Sequence, residues 1–193
     1  GFGNAPKPRD GRYSPLDQAS LLHRWILQKD LRNLTVVGHS LGGGVALLTT
    51  LAFQREDRRR IRRLALIAGI AYPQTLSPYL RLLGHPVVGP LLLRLLPLRR
   101  VFRIALRKAY HPSHPVPESH VEAYVHPLRT AEGRYALSRS AAQLLAPASI
   151  ALATRYREAD LPTLLLWGRE DPVVPLWVGE RLLMELPDAR LEV

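Results

Sequence analysis

The chain has 193 residues, 47% of them hydrophobic and 22% charged, and no cysteine. That is ordinary globular composition, enough for one domain or for one domain carrying an insertion, and it excludes disulfides and thiolate metal sites. The net charge of +11 is almost all arginine, since lysine occurs only at Lys7, Lys29 and Lys108.

Arginines cluster at Arg58, Arg59, Arg60, Arg62 and Arg63, and again around Arg99, Arg100, Arg103 and Arg107. A basic surface attracts nucleic acid or anionic lipid. No nucleic-acid motif accompanies the charge, so solvated arginines are the simpler reading and no nucleic-acid partner is expected. Gly1-Phe2-Gly3-Asn4 is neither a basic nor an apolar leader, and the single methionine is Met184. The apolar stretch from Pro86 to Leu98 is interrupted by Pro90, Arg94 and Pro97. It falls short of the about 20 residues that span a bilayer. A cytoplasmic protein without a transmembrane segment is expected.

The first dozen residues are turn chemistry without periodicity. Ser14-Pro15 then opens a helix to about Lys29, with Ser14 as cap, Asp17 at the positive end, and Ala19, Leu22, Trp25 and Ile26 on one face. Leu34–Gly38 reads as a buried strand, Leu41 to about Phe53 as a helix, Arg55–Arg63 as a solvated connection, and Leu64–Ala68 as a second strand. Leu164–Trp167 is a third strand and Arg190–Val193 opens a fourth. Strands alternating with helices predict a parallel sheet covered on both faces. Residues 73–148 differ: they are proline-rich, with helical patterns at Pro90–Leu96, Leu98–Ala109, Pro117–Val125 and Thr130–Leu145. The expected organisation is a core of residues 1–72 and 149–193 with a helical insertion at 73–148.

Gly38-His39-Ser40-Leu41-Gly42 lies between a predicted strand and a predicted helix. A serine in so sharp a turn has its hydroxyl held out at the sheet edge, and its neighbours must be small, which accounts for Gly38 and Gly42. Gly43 and Gly44 allow the helix to pack close to the sheet. The N–H of Leu41 points where an oxyanion would form, aided by the helix dipole. A phosphate loop would want a lysine after the last glycine, and Val45 stands there.

A nucleophilic serine needs a base, and the base a carboxylate. Asp171, in the loop after the third strand, is the candidate acid, with Glu170 and a helix-capping role for Asp171 as alternatives. Ala68-Gly69-Ile70-Ala71, after the second strand, offers no carboxylate. All seven histidines (His23, His39, His85, His111, His114, His120 and His126) precede Asp171, whereas the usual order is serine, acid, histidine. His39 adjoins Ser40 but should point away from its hydroxyl, in a supporting role. His111 and His114 lack the companions a metal site needs. Neither a metal nor a cofactor is expected.

Gly1-Phe2-Gly3-Asn4 with Pro6-Lys7-Pro8, Val37 to Gly43, and Trp167-Gly168-Arg169-Glu170-Asp171 together resemble the α/β-hydrolase superfamily, in its cap-bearing branch of serine esterases and carbon–carbon bond hydrolases. The resemblance implies a partial three-layer α/β-hydrolase fold. Its parallel strands would be equivalent to the fifth through eighth, and the helical insertion would be a cap, or lid, over the active site. It implies Ser40 as nucleophile, Leu41 as one oxyanion donor and Asp171 as triad acid. Related dehalogenases and epoxide hydrolases carry aspartate at the nucleophile position, so Ser40 argues against both chemistries. The first four strands, the second oxyanion donor and the triad histidine would lie outside this chain, so residues 1–193 are expected to be an inactive fragment clipped at both ends.

The expected reaction is attack by Ser40 on an ester-like carbonyl and release of the acyl-enzyme by water. The partner would be a small molecule with an apolar acyl or aryl group facing Leu91, Leu92, Leu93, Leu95 and Leu96, then Val101, Phe102, Ile104 and Ala105, unless these simply pack against a core. Alternatives are a non-catalytic binding protein of the same fold, an acyltransferase, and peripheral contact of the leucine- and arginine-rich insertion with an anionic membrane.

Overall fold

A computed structural model of the protein describes residues 2–74 and 78–193. In chain order the elements begin α1 (Pro15–Gln28), β1 (Leu34–His39), α2 (Leu41–Glu56) and β2 (Ile61–Ile67). Then come α3 (Pro78–Gly84), α4 (Val88–Leu95), α5 (Leu98–Ala109), α6 (Glu118–Val125), α7 (Ala131–Gln143) and α8 (Pro147–Ala151), followed by β3 (Thr163–Leu166), α9 (Leu176–Glu185) and β4 (Ala189–Glu192). Two compact units result, Gly1–Tyr13 with Thr75–Leu144, and Ser14–Gln74 with Leu145–Val193.

The second unit holds the sheet, parallel throughout, in the order β1-β2-β3-β4. Register puts Val36, Leu64, Thr163 and Ala189 side by side, and likewise Gly38, Leu66, Leu165 and Leu191. These rows form one face, which packs into a single core with Leu47 and Leu51 of α2 and Val178 and Leu182 of α9. The alternate rows form the opposite face, where Val37 is 62% exposed and Ile67 36%. Helices therefore cover one face among the described residues, two layers of a three-layer arrangement.

Local chemistry explains the helix starts and the departures from expectation. Ser14 Oγ accepts from Asp17 N at 3.1 Å and Asp17 Oδ2 accepts from Ser14 N at 3.0 Å, a reciprocal capping box that begins α1. Ala19 and Ile26 are buried as their spacing requires, but Trp25 is half exposed, because the packed stripe is narrower than the apolar pattern. The arginine-rich connection is shorter and less solvated than its charge suggests. Arg60 is only 8% exposed, with Nη1 3.0 Å from Asp30 Oδ1 and Nε 3.3 Å from Asp57 Oδ2. Two carboxylates and the Leu31 carbonyl make its burial tolerable.

The first unit is helical, and its described residues include no strand. Leu83 of α3, Leu93 of α4 and Ala141 of α7 form a small separate core. Gly89 makes it possible, since a Cβ there would lie 2.0 Å from the Leu83 carbonyl oxygen. The helix α3 was not evident in the sequence. Amino-terminal residues belong to this unit through Gln143, which donates from Nε2 to Gly11 O at 2.7 Å and accepts from Tyr13 N at 3.0 Å. Of the expected apolar run, Leu93 packs inside the unit, while Leu91, Leu95 and Ile104 are more than half exposed. No helix among the described residues is long and apolar enough to cross a membrane.

Two outcomes test this packing. Leu66 is fully buried in a central strand, so Leu66→Ala should lower unfolding free energy by about 2–5 kcal/mol in urea titrations. Glu158 accepts paired hydrogen bonds from Arg155 and from Arg55, which hold its carboxyl down from 4.5 to about 2. The stabilisation is complete above the usual carboxylate pKa and is lost as pH falls from 4.5 toward 2. The urea midpoint of Glu158→Gln should therefore fall less steeply than wild type across that window.

Candidate active site

β1 ends at His39 and α2 begins at Leu41, so Ser40 alone makes the turn from strand to helix. Its φ of 52° and ψ of −120° lie where side-chain-bearing residues are strained. Hydrogen bonds over-determine this conformation. Ser40 N donates to Ile67 O at 2.9 Å, and Ser40 O accepts from Gly43 N at 3.0 Å, Gly44 N at 3.3 Å and Ile70 N at 3.0 Å.

Close backbone approach explains the glycines. A Cβ on Gly38 would lie 2.3 Å from Gly42 O, one on Gly43 2.6 Å from Gly69 Cα, and one on Gly44 2.5 Å from Ile70 O. Gly42, expected to be small for the same reason, differs: a Cβ there would meet nothing within 4 Å. Its carbonyl, not its missing side chain, is what crowds Gly38. Gly69 and Ile70 are contributors that sequence reasoning passed over, and the glycine after the second strand was the available signal.

Ser40 is half-buried and its hydroxyl caps no helix N–H. Leu41 is the first residue of α2, where a backbone N–H has no intrahelical acceptor and carries the positive end of the helix dipole. His39 is exposed on the open face of the sheet, in register with Ile67.

Asp171 sits in the loop after β3. Its Oδ1 accepts from Val173 N at 2.8 Å and Val174 N at 3.0 Å, while Trp167 Nε1 closes the loop on Val174 O at 2.9 Å. The carboxylate thus orders its own loop rather than capping α9, whose N-terminal neighbour is Pro175. Oδ2 has no hydrogen bond among the described residues. Glu170 is exposed, whereas Asp171 is half-buried. Because the sheet is parallel with β2 between β1 and β3, Ser40 and Asp171 both follow carboxyl ends of strands, two strand positions apart.

The histidines are engaged elsewhere or exposed. His23 Nε2 lies 2.7 Å from Glu56 Oε2 and stacks on Phe53. His85 accepts from Val88 N, His111 and His114 share the Ser113 hydroxyl, and His120 bonds Tyr110. His126 begins a 3₁₀ turn. None is hydrogen-bonded to Ser40 or Asp171 among the described residues. No group of three or more potential metal ligands occurs among them.

Gly43→Ala forces a Cβ against the Gly69 backbone and should cost about 1–3 kcal/mol in chemical denaturation. Gly42→Ala adds a Cβ in open space within a helix and should be neutral or stabilise by up to about 1 kcal/mol. Equal losses at both positions would contradict the packing described.

The sequence profile of the alpha/beta hydrolase family matches residues 1–193. An uncharacterized hydrolase of Bacillus subtilis, YugF, is 25% identical over 98% of this chain and 67% of its own length. The 2-hydroxymuconate semialdehyde hydrolase of Pseudomonas putida is 28% identical over 100% of this chain and 65% of its own. A Mycoplasma pneumoniae protein described as a putative esterase/lipase is 39% identical over 36% of this chain and 25% of its own. The chain thus spans about two thirds of the length of the first two and a quarter of the third. An alpha/beta hydrolase fold protein from Burkholderia ambifaria superimposes with a TM-score of 0.76 at 22% identity, over 99% of this chain and 69% of that one, which speaks to fold alone. The chain belongs to the alpha/beta hydrolase family.

Proposed function

We propose that the chain carries the nucleophile and acid of a serine hydrolase acting on an ester-like carbonyl. The observation that carries this reading is Ser40, strained at φ 52° between β1 and α2. In the proposed reaction Ser40 Oγ attacks the carbonyl carbon and its proton passes to a histidine base. The Leu41 N–H stabilises the oxyanion, and water then releases the acyl group. Asp171 holds that histidine in the productive tautomer through the carboxylate oxygen its loop leaves unbonded. β1 and β3 stand roughly 9–10 Å apart, given ordinary strand spacing. An imidazole hydrogen-bonded on both sides would bridge such a gap.

An apolar acyl or aryl group is the proposed substrate class. Membership of the alpha/beta hydrolase family and likeness to a Mycoplasma pneumoniae protein described as a putative esterase/lipase support the reading.

In the full-length protein, Ser40→Ala and Asp171→Asn should each lower kcat for p-nitrophenyl butyrate by about 10⁴-fold or more. Rates should rise with acyl length. Undiminished hydrolysis in Ser40→Ala would overturn the proposal.

A further inference from the structure

At the amino ends of β1, β2 and β3, a cavity of about 460 Å³ is lined by Asn33, Gln54, Arg58, Arg62, Arg63 and Asp160 over an apolar floor. That volume is in the range of small-molecule sites, about 300–1,000 Å³. It lies at the end of the sheet opposite Ser40, a β1 length of six residues away, roughly 20 Å.

A β-bulge builds its basic wall. Successive side chains of a regular strand face opposite ways, so Arg62 and Arg63 would part. Here the register jumps from Leu34↔Ile61 to Thr35↔Arg63, leaving Arg62 as the extra residue. The inward residues Ile61 and Leu64 are accordingly three apart, with both arginines exposed between them. The bulge turns both onto one cavity, the re-aiming that bulges perform.

The charges are poorly matched inside the protein. The side chains of Arg62 and Arg63 make no ion pair or hydrogen bond among the described residues. Arg58 donates from Nε to Gln54 O at 3.1 Å, and its Nη1 is 3.9 Å from Asp160 Oδ2, beyond hydrogen-bond reach. Three guanidinium groups thus face one carboxylate. Gln54, 5% exposed, and Asn33 place side-chain amides in the same wall.

We propose that this cavity binds a phosphate group, free or carried by a small molecule. Guanidinium forks match phosphate oxygens, and three of them on one cavity suit a group that carries more than one negative charge. The site is independent of Ser40 and needs no chemistry there.

The test is titration of the protein with inorganic phosphate and with glycerol phosphate at low ionic strength, following the Asn33 and Gln54 side-chain amides by NMR. Saturable shifts of both amides are expected, with tighter binding by one ligand identifying whether the phosphate is free or carried. Arg62→Gln/Arg63→Gln should weaken binding about tenfold or more. Arg100→Gln/Arg107→Gln removes the same charge from exposed positions on α5 and should change it less than about twofold. The single variant Arg62→Gln gives an intermediate loss and guards against a folding defect. Absence of saturable shifts, or equal losses in the two double variants, would overturn the proposal.

Discussion

The first turn of α2 touches the backbone that leaves β2, with no side chains between them. Gly43 stands against Gly69, Gly44 against the Ile70 carbonyl, and Gly38 against the Gly42 carbonyl. A Cβ at any of the three inward glycines would push helix and sheet apart by about its own size. Only at that separation can Ser40 O accept from Gly43, Gly44 and Ile70 at once, and these bonds hold Ser40 at a φ that costs about 1–3 kcal/mol. The strained turn at Ser40 is thus a consequence of backbone packing several residues away.

The proposed acid is fixed by a different device. Asp171 spends one oxygen on the amides of Val173 and Val174, and the Trp167 indole, 5% exposed, closes the same loop through Val174 O. Gly179 lets α9 pack on that indole, since a Cβ there would come within 2.9 Å of the ring. One carboxylate oxygen therefore stabilises the loop while the other remains open to a partner. The two groups share a sheet edge because every strand is parallel, and they are separated because β2 lies between theirs.

Local signals were legible in the sequence. The Ser14 cap, the strand–Ser40–helix turn and the helical span Leu98–Ala109 each depend on neighbours within a few residues, and each stands where its pattern put it. Features set by distant partners were not legible. Arg60 reads as one more solvated arginine until Asp30 and Asp57 are brought to it. Gly42 and Gly69 are alike as letters, but of the two only Gly69 has a backbone, that of Gly43, where a Cβ would stand. The bulge at Arg62 needs the pairing of β1 with β2, and the grouping of residues 2–13 with the helical unit needs Gln143.

The most direct measurement is covalent trapping of the serine itself. The full-length protein is treated with a fluorophosphonate and the modified residue located by peptide mass spectrometry. A single adduct on Ser40, formed much more slowly when Asp171 is replaced by asparagine, is the predicted result. Modification at other hydroxyls with Ser40 untouched, or labelling indifferent to Asp171, would contradict the account.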